Sequence, residues 1–301
     1  MNIKKYKVIQ DPIYGYRRLD PVPENKELVK FYQRQYYELV RKGGRFPELR
    51  RLMTGGEEAE HERTWLRTTF YTDIFSVLSQ YVTGKRILDI GCGNGEFIYF
   101  LKENGFETVG IEPSAEAVEL AKSRGLIAYN FTLEDFIEYY KSNSINAFDA
   151  ITLLNVLEHV PDPVHIIEIT KKILNSGGII CIRVPNDFSE LQLSAQKQLN
   201  KDPWWIAIPD HVNYFNFETL FDFLEKLGFE IIYSQSDFPM ELFLLMGDDY
   251  VDNPDVGSKC HLKRVSFEIA ISGKLRRHIY KKLAEAGIGR DCLVFGRLRS
   301  K

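Results

Sequence analysis

Short apolar runs recur through the middle of the chain at 86–90, 107–111, 127–131, 148–154 and 178–184, and the residues between them repeat apolar side chains every three or four positions. This alternation predicts parallel strands joined by helices, in a sheet covered on both faces. The punctuation agrees. Ser114 can cap a helix that Gly125 ends, and Asp162-Pro163 can begin one that runs to Asn175, with Gly177-Gly178 after it. A helix over 216–227 stops at Gly228 before a strand over 229–234, and a last strand over 291–296 lies near the C-terminus. Upstream, 1–23 mixes prolines, tyrosines and charges, which predicts an extended arm or hairpin. Helical spacing sets in over 24–42, with Phe31, Tyr32, Tyr36 and Leu39, and ends at Gly43-Gly44. A second helix over 60–82 aligns Leu66, Phe70, Ile74 and Leu78 on one face.

At 301 residues, 44% of them hydrophobic and 27% charged, the chain can bury one large α/β core with appendages, or two modest domains. A net charge of -3 supplies no overall pull toward nucleic acid or membrane, so either partner would need a local patch. Cys92, Cys181, Cys260 and Cys292 lie far apart, with neither metal spacing nor a disulfide framework, which favours a reducing cytoplasmic setting. The first residues lack the apolar core of a signal peptide, and no apolar run is long enough to span a bilayer.

The chemistry concentrates at Leu88-Asp89-Ile90-Gly91-Cys92-Gly93-Asn94-Gly95-Glu96, a strand running into a glycine-rich turn, with Glu112 ending the next strand. Glycines let a ligand approach the main chain, and an acid about twenty residues on can grip two ribose hydroxyls. A dinucleotide site has the spacing G-x-G-x-x-G, which needs glycine where this chain has Glu96. Asp89 and Glu96 would repel a pyrophosphate, whereas a ligand with an ammonium and a sulfonium and no phosphate would be attracted. S-adenosylmethionine (SAM) is such a ligand.

With these segments in order, the chain resembles a class I SAM-dependent methyltransferase. The resemblance runs over roughly 80–235 and is carried by 87–97, by Val109-Gly110-Ile111-Glu112-Pro113-Ser114, by Phe148-Asp149-Ala150 through Leu157-Glu158-His159-Val160-Pro161-Asp162-Pro163, and by Gly177-Gly178 through Val184-Pro185-Asn186. The run from Leu157 to Pro163 is similar to the subgroup with ubiquinone-biosynthesis O-methyltransferases. It implies a doubly wound, Rossmann-like seven-stranded sheet with an antiparallel last strand, whose final two strands pair as a hairpin. The expected organisation is an N-terminal arm and helical cover over 1–60, a SAM-binding core over 61–235, an insertion over 236–289 that shapes the acceptor site, and a final strand and tail over 290–301.

The resemblance also implies roles. Asp89 supports the turn and the amino-acid end of SAM, with the backbone of Gly91, Cys92, Gly93 and Gly95 around the methionine part; Glu112, followed by Pro113, holds the ribose. Leu133 and Glu134, after the third strand, meet the adenine, although a plain helix N-cap explains Thr132-Leu133-Glu134-Asp135 equally well. Asn155 contacts the SAM amino group through its backbone. S-adenosylhomocysteine (SAH) is the product.

Transfer to a hydroxyl needs a proton acceptor, and Glu158, His159 and His211 are the candidates, His211 preferred because the resemblance sets its segment over the acceptor pocket. No metal is expected: some relatives carry Glu-x-x-Glu-His here, and Asn155 stands in place of the first carboxylate. Oxygen is the expected acceptor atom, in a small-molecule or glycan-type acceptor. The basic stretch with Lys263, Arg264, Lys274, Arg276 and Arg277 could face an acidic one, or form a solvated helix face. Trp204-Trp205 could stack on the acceptor or seal the core. Three other classes stay open: a non-catalytic SAM-binding regulator, a nicotinamide-dependent oxidoreductase or epimerase, which Asp89 and Glu96 argue against, and a nucleic-acid methyltransferase, for which no motif is present.

Overall fold

A computed structural model describes residues 5–24, 28, 50–52, 55–143 and 145–299. The expected helix over 24–42, with Tyr32 and Tyr36, lies outside the described residues. The arm forms a hairpin of β1 (Lys7–Gln10) and β2 (Arg17–Asp20). The next helix is α1 (Gly56–Leu66), a widened π-type turn over Arg67–Tyr71, and α2 (Thr72–Tyr81).

Then strands and helices alternate: β3 (Arg86–Ile90), α3 (Glu96–Glu103), β4 (Glu107–Ile111), α4 (Ala115–Ser123), β5 (Ile127–Tyr129), α5 (Leu133–Ser142), β6 (Phe148–Leu154), α6 (Pro163–Thr170) and β7 (Leu174–Pro185). After α7 (Glu190–Leu199), β8 (Asn213–Tyr214) and α8 (Phe217–Lys226) comes β9 (Phe229–Gln235). The insertion contributes α9 (Glu241–Leu245), α10 (Pro254–Ala270) and α11 (Gly273–Glu285) before β10 (Asp291–Leu298).

The main sheet runs β5-β4-β3-β6-β7-β10-β9, parallel except for β10, which is antiparallel to both neighbours. The chain first builds outward from β3 and then returns to place β6 on its other side. A ligand crevice opens at such a switch point, outside the carboxyl ends of the strands. Period-two alternation divides the strands between two cores. Leu88, Ile151, Ile180, Ile182 and Val294 face α5, α6 and α8 through Phe136, Ile167 and Phe223. Ile87, Ala150, Cys181 and Phe295 face α2 and α3 through Ile74, Leu78, Phe97 and Leu101.

Capping follows the expected chemistry. The Ser114 hydroxyl accepts from the Ala117 amide, and Asp162 from that of His165, ahead of Pro163. The helix after Asp162 is shorter than expected. It ends at Thr170, and β7 already begins at Leu174, because the edge of β6 captures the backbone that the apolar spacing alone would extend as helix.

The insertion corrects one expectation. Arg276 does not face an acceptor: it is 3% exposed, and its guanidinium grips both carboxylate oxygens of Asp73 on α2 at 2.9 Å while donating to the Glu268 carbonyl at 3.0 Å. Arg277 reaches the same carboxylate at 3.0 Å. These cations fasten α11 to the core, so the stretch that reads as basic in sequence is largely neutralised in the fold. No described helix is long and apolar enough to cross a membrane.

Candidate active site

Asp89 leaves β3 on the face it shares with Thr152 of β6, directly across the ladder. The Thr152 hydroxyl donates to its carboxylate at 2.5 Å, and the group is 3% exposed. Burial, with Glu112 adding repulsion against the pull of Thr152, pushes the Asp89 carboxyl up to about 7. Beyond it Gly91, Gly93 and Gly95 all have positive φ. At Gly95 a β-carbon would lie 2.6 Å from Leu126, so only glycine lets α3 start so close to α4 and β5. At Gly93 the same position is open, with nothing within 4 Å, and the glycine is half-buried. The Cys92 thiol is buried against Gly110 and raised in pKa by desolvation, which makes it inert.

Glu112 follows β4 and bends back over the turn. Its carboxylate accepts the amides of Gly93 at 3.2 Å and Ser114 at 2.9 Å, while burial raises its pKa. Pro113 is exposed beside it. Glu96 does not present a free charge to the turn: Arg63 at 3.1 Å and Arg124 at 2.8 Å hold its carboxylate from outside. The electrostatic case against a pyrophosphate therefore rests on Asp89 and Glu112 rather than on Glu96. Thr132 and Asp135 form a reciprocal capping box on α5, Leu133 is buried, and Glu134 is exposed near His165. Asn155 closes β6 in the left-handed region, φ 58°, and its amide and side chain both meet Arg183 of β7.

The three candidate bases converge although His211 is remote in sequence. Asn213 donates to the Leu157 and Val160 carbonyls at 2.8 Å, and the Val212 and Asn213 amides donate to the Glu158 carbonyl. From the other side β2 pairs with β8, and Tyr16 stacks on Phe215 at 4.7 Å, so the N-terminal hairpin clamps the segment that carries His211. One carboxylate oxygen of Glu158 and one ring nitrogen each of His159 and His211 lie within 4.8 Å of one another. The His159 and His211 rings meet edge to face at 5.1 Å.

Burial raises Glu158 to about 7 although His159 opposes it, and Glu158 Oε2 has no hydrogen-bond partner among the described residues. For His159 burial alone would lower the pKa, but Glu158 and Asp210 outweigh it and lift it to about 9. Asp210 meets His159 Nδ1 with its backbone carbonyl at 2.9 Å and its carboxylate at 3.4 Å. One carboxylate and two imidazoles, one of them oriented by a carbonyl, also suit a divalent cation.

Sequence reasoning missed Thr152, Asp210 and Arg183. Asp210 stands beside His211 in a stretch singled out for its histidine, but only the fold turns it onto His159. Trp205 is buried, edge-on to Phe188 at 5.5 Å and to the half-buried Trp204 at 5.0 Å.

Comparison with known proteins gives three findings. The family described as a methyltransferase domain matches residues 62–234. Over 103 residues the chain is 37% identical to a ubiquinone biosynthesis O-methyltransferase of Actinobacillus pleuropneumoniae, covering 32% of this chain and 44% of that protein; for the Pasteurella multocida counterpart it is 34% over 110 residues, 33% and 46%. The chain thus spans less than half the length of these curated relatives. In fold it is similar to the crystal structure of a SAM-dependent methyltransferase from Archaeoglobus fulgidus, TM-score 0.52 and 20% identity, over 87% of this chain and 100% of that one.

Proposed function

The chain belongs to the class I SAM-dependent methyltransferases, and on that premise we propose that it transfers the SAM methyl group to a hydroxyl of a small-molecule or glycan-type acceptor. The names of its curated relatives support oxygen as the acceptor atom. The observation that carries the reading is the convergence of Glu158, His159 and His211 at the switch-point edge of the sheet, next to the glycine turn.

In this reading Glu112 holds the ribose diol, Asp89 answers the ammonium of the cofactor's amino-acid end, and the amides of Gly91, Cys92 and Gly93 surround the methionine part. Gly95 lets the turn close, Pro113 and Leu133 border the nucleoside, Glu134 stands at the adenine rim, and the Asn155 backbone meets the amino group. Methyl transfer is an in-line displacement, so most of the work is alignment and exclusion of water. His211 takes the acceptor proton. His159, protonated below about 9, is an imidazolium at neutral pH; it orients the cluster and offsets charge rather than acting as base.

The test is calorimetric titration with SAH. Because Asp89 is protonated below about 7, SAH affinity is expected to fall roughly tenfold between pH 8 and pH 6, and Asp89→Asn should flatten that dependence. Glu112→Ala removes a charged acceptor and is expected to weaken SAH by about 10- to 100-fold. Unchanged affinity in both variants would overturn the assignment.

A second reading is favoured by the orphaned Glu158 Oε2: Glu158, His159 and His211 would hold a divalent cation, which when bound would polarise the acceptor hydroxyl. Since Asn155 replaces a carboxylate and His159 is held protonated, turnover is expected to survive exhaustive chelation. Loss of turnover restored by added cation would favour the metal instead.

A further inference from the structure

Behind the three candidate bases, the buried lining is acidic. Asp187 follows the end of β7, its amide donating to the Phe215 carbonyl at 2.7 Å and its side chain 2% exposed. Gln192 on α7 lies close enough to Asp187 and to Glu241 of α9 to favour the ionised form of each, and Asp187 lies within electrostatic reach of Glu158 and Glu241. All four side chains are less than 5% exposed. Each nevertheless leaves one oxygen without a hydrogen-bond partner: Glu158 Oε2, Asp187 Oδ2, Gln192 Oε1 and Glu241 Oε2. A buried acceptor left unmade costs about 1–3 kcal/mol. All four orphans are oxygens, and in their unprotonated form a group rich in donors would complete them.

Charge narrows the choice. Within electrostatic reach of one another stand the carboxyls of Glu158, Asp187, Asp237, Glu241 and Asp291, with Asp210 at His159. Facing them are His159 and the guanidiniums of Arg183, Arg264 and Arg290. Arg183 is engaged by Asp291, and Arg264 is shared with Glu268 at 3.5 Å. Arg290 acts on Glu241, and at both Asp187 and Glu241 burial is the largest influence and raises the pKa, which disfavours the ionised form unless a cation is close. An ammonium offers three donors and a positive charge that favours the ionised carboxyls.

Resting on the reading as a methyltransferase, we propose that Glu158, Asp187, Gln192 and Glu241 form an acceptor subsite for a protonated primary amine, so that the molecule methylated carries an ammonium group beside its hydroxyl. On this reading the acceptor is basic, the opposite of the acidic one that the basic stretch could face.

The experiment titrates the full chain, saturated with SAH, with three probes of one length: 1,4-diaminobutane, 1,4-butanediol and succinate. The diamine is expected to bind at least tenfold more tightly than the diol, with no detectable binding of succinate. Asp187→Asn and Glu241→Gln, both close in shape to the native residues, should each weaken the diamine about tenfold while SAH affinity stays unchanged, which also reports an intact fold. Equal binding of diamine and diol, preference for succinate, no binding of any probe, or diamine binding indifferent to both variants would each overturn the subsite. Failure of SAH itself to bind would instead remove the cofactor assignment on which the subsite rests.

Discussion

Replacing His211 by glutamine is expected to lower the methyl-transfer rate by about 10²- to 10⁴-fold, the usual contribution of a positioned general base. Glutamine keeps much of the side chain's bulk and its hydrogen-bonding capacity but takes up no proton. The His211 backbone is held independently of its ring, through its amide on the Ala207 carbonyl at 2.7 Å and its carbonyl under the Tyr214 hydroxyl at 3.0 Å. The loop should therefore survive the change, and SAH affinity should stay near that of the parent protein. The matched change His159→Gln should cost less, because that ring is already protonated at neutral pH and cannot accept the proton. Single-turnover rates with saturating SAM measure both, and a His211→Gln protein with full turnover would show that the proton leaves by another route.

The second large effect is on stability. Arg276→Met is expected to destabilise the protein by about 3–5 kcal/mol, the cost of leaving a buried charge without its partner. Asp73 is 2% exposed, and Arg277 can compensate only in part because it is bound at a single oxygen, whereas Arg276 engages both. The change also removes the bonds from Arg276 to the carbonyls of Thr68 and Glu268, which tie the π-type turn to α10 and α11. For a chain of this size the melting temperature should drop on the order of 10 °C. Asp73→Asn in the same protein should recover part of the loss, since it removes the stranded charge. A melting temperature unaffected by Arg276→Met would mean that the insertion docks through its apolar contacts alone.

Much of the core was legible in the residues. Strands at 86–90, 107–111 and 148–154 coincide with β3, β4 and β6 because each is an apolar run bounded by glycine or polar residues, a pattern governed by local chemistry. Gly91, Gly93 and Gly95 were equally plain, as their backbone angles admit few other residues. Less legible was the end of the helix after Asp162, where strand pairing overrode periodicity. The role of Arg276 was opaque for a different reason: a cation on a helix reads the same whether it meets water or a buried carboxylate 203 residues away in sequence.

Taken by itself, then, the sequence determined the alternating α/β core, the glycine turn and the acid that follows it, because those depend on spacing within a few residues and on the conformations glycine alone adopts. Only the fold brings His211 to Glu158 and His159, neutralises Glu96 from outside, sets Arg276 and Arg277 on Asp73, and buries Asp187 within reach of Glu158 and Glu241. Each of these is a pairing across long stretches of chain, set by β2 seating on β8 and by α10 and α11 folding back on α1 and α2. Burial then changes the charge a side chain carries, and burial is a property of the fold rather than of the residue.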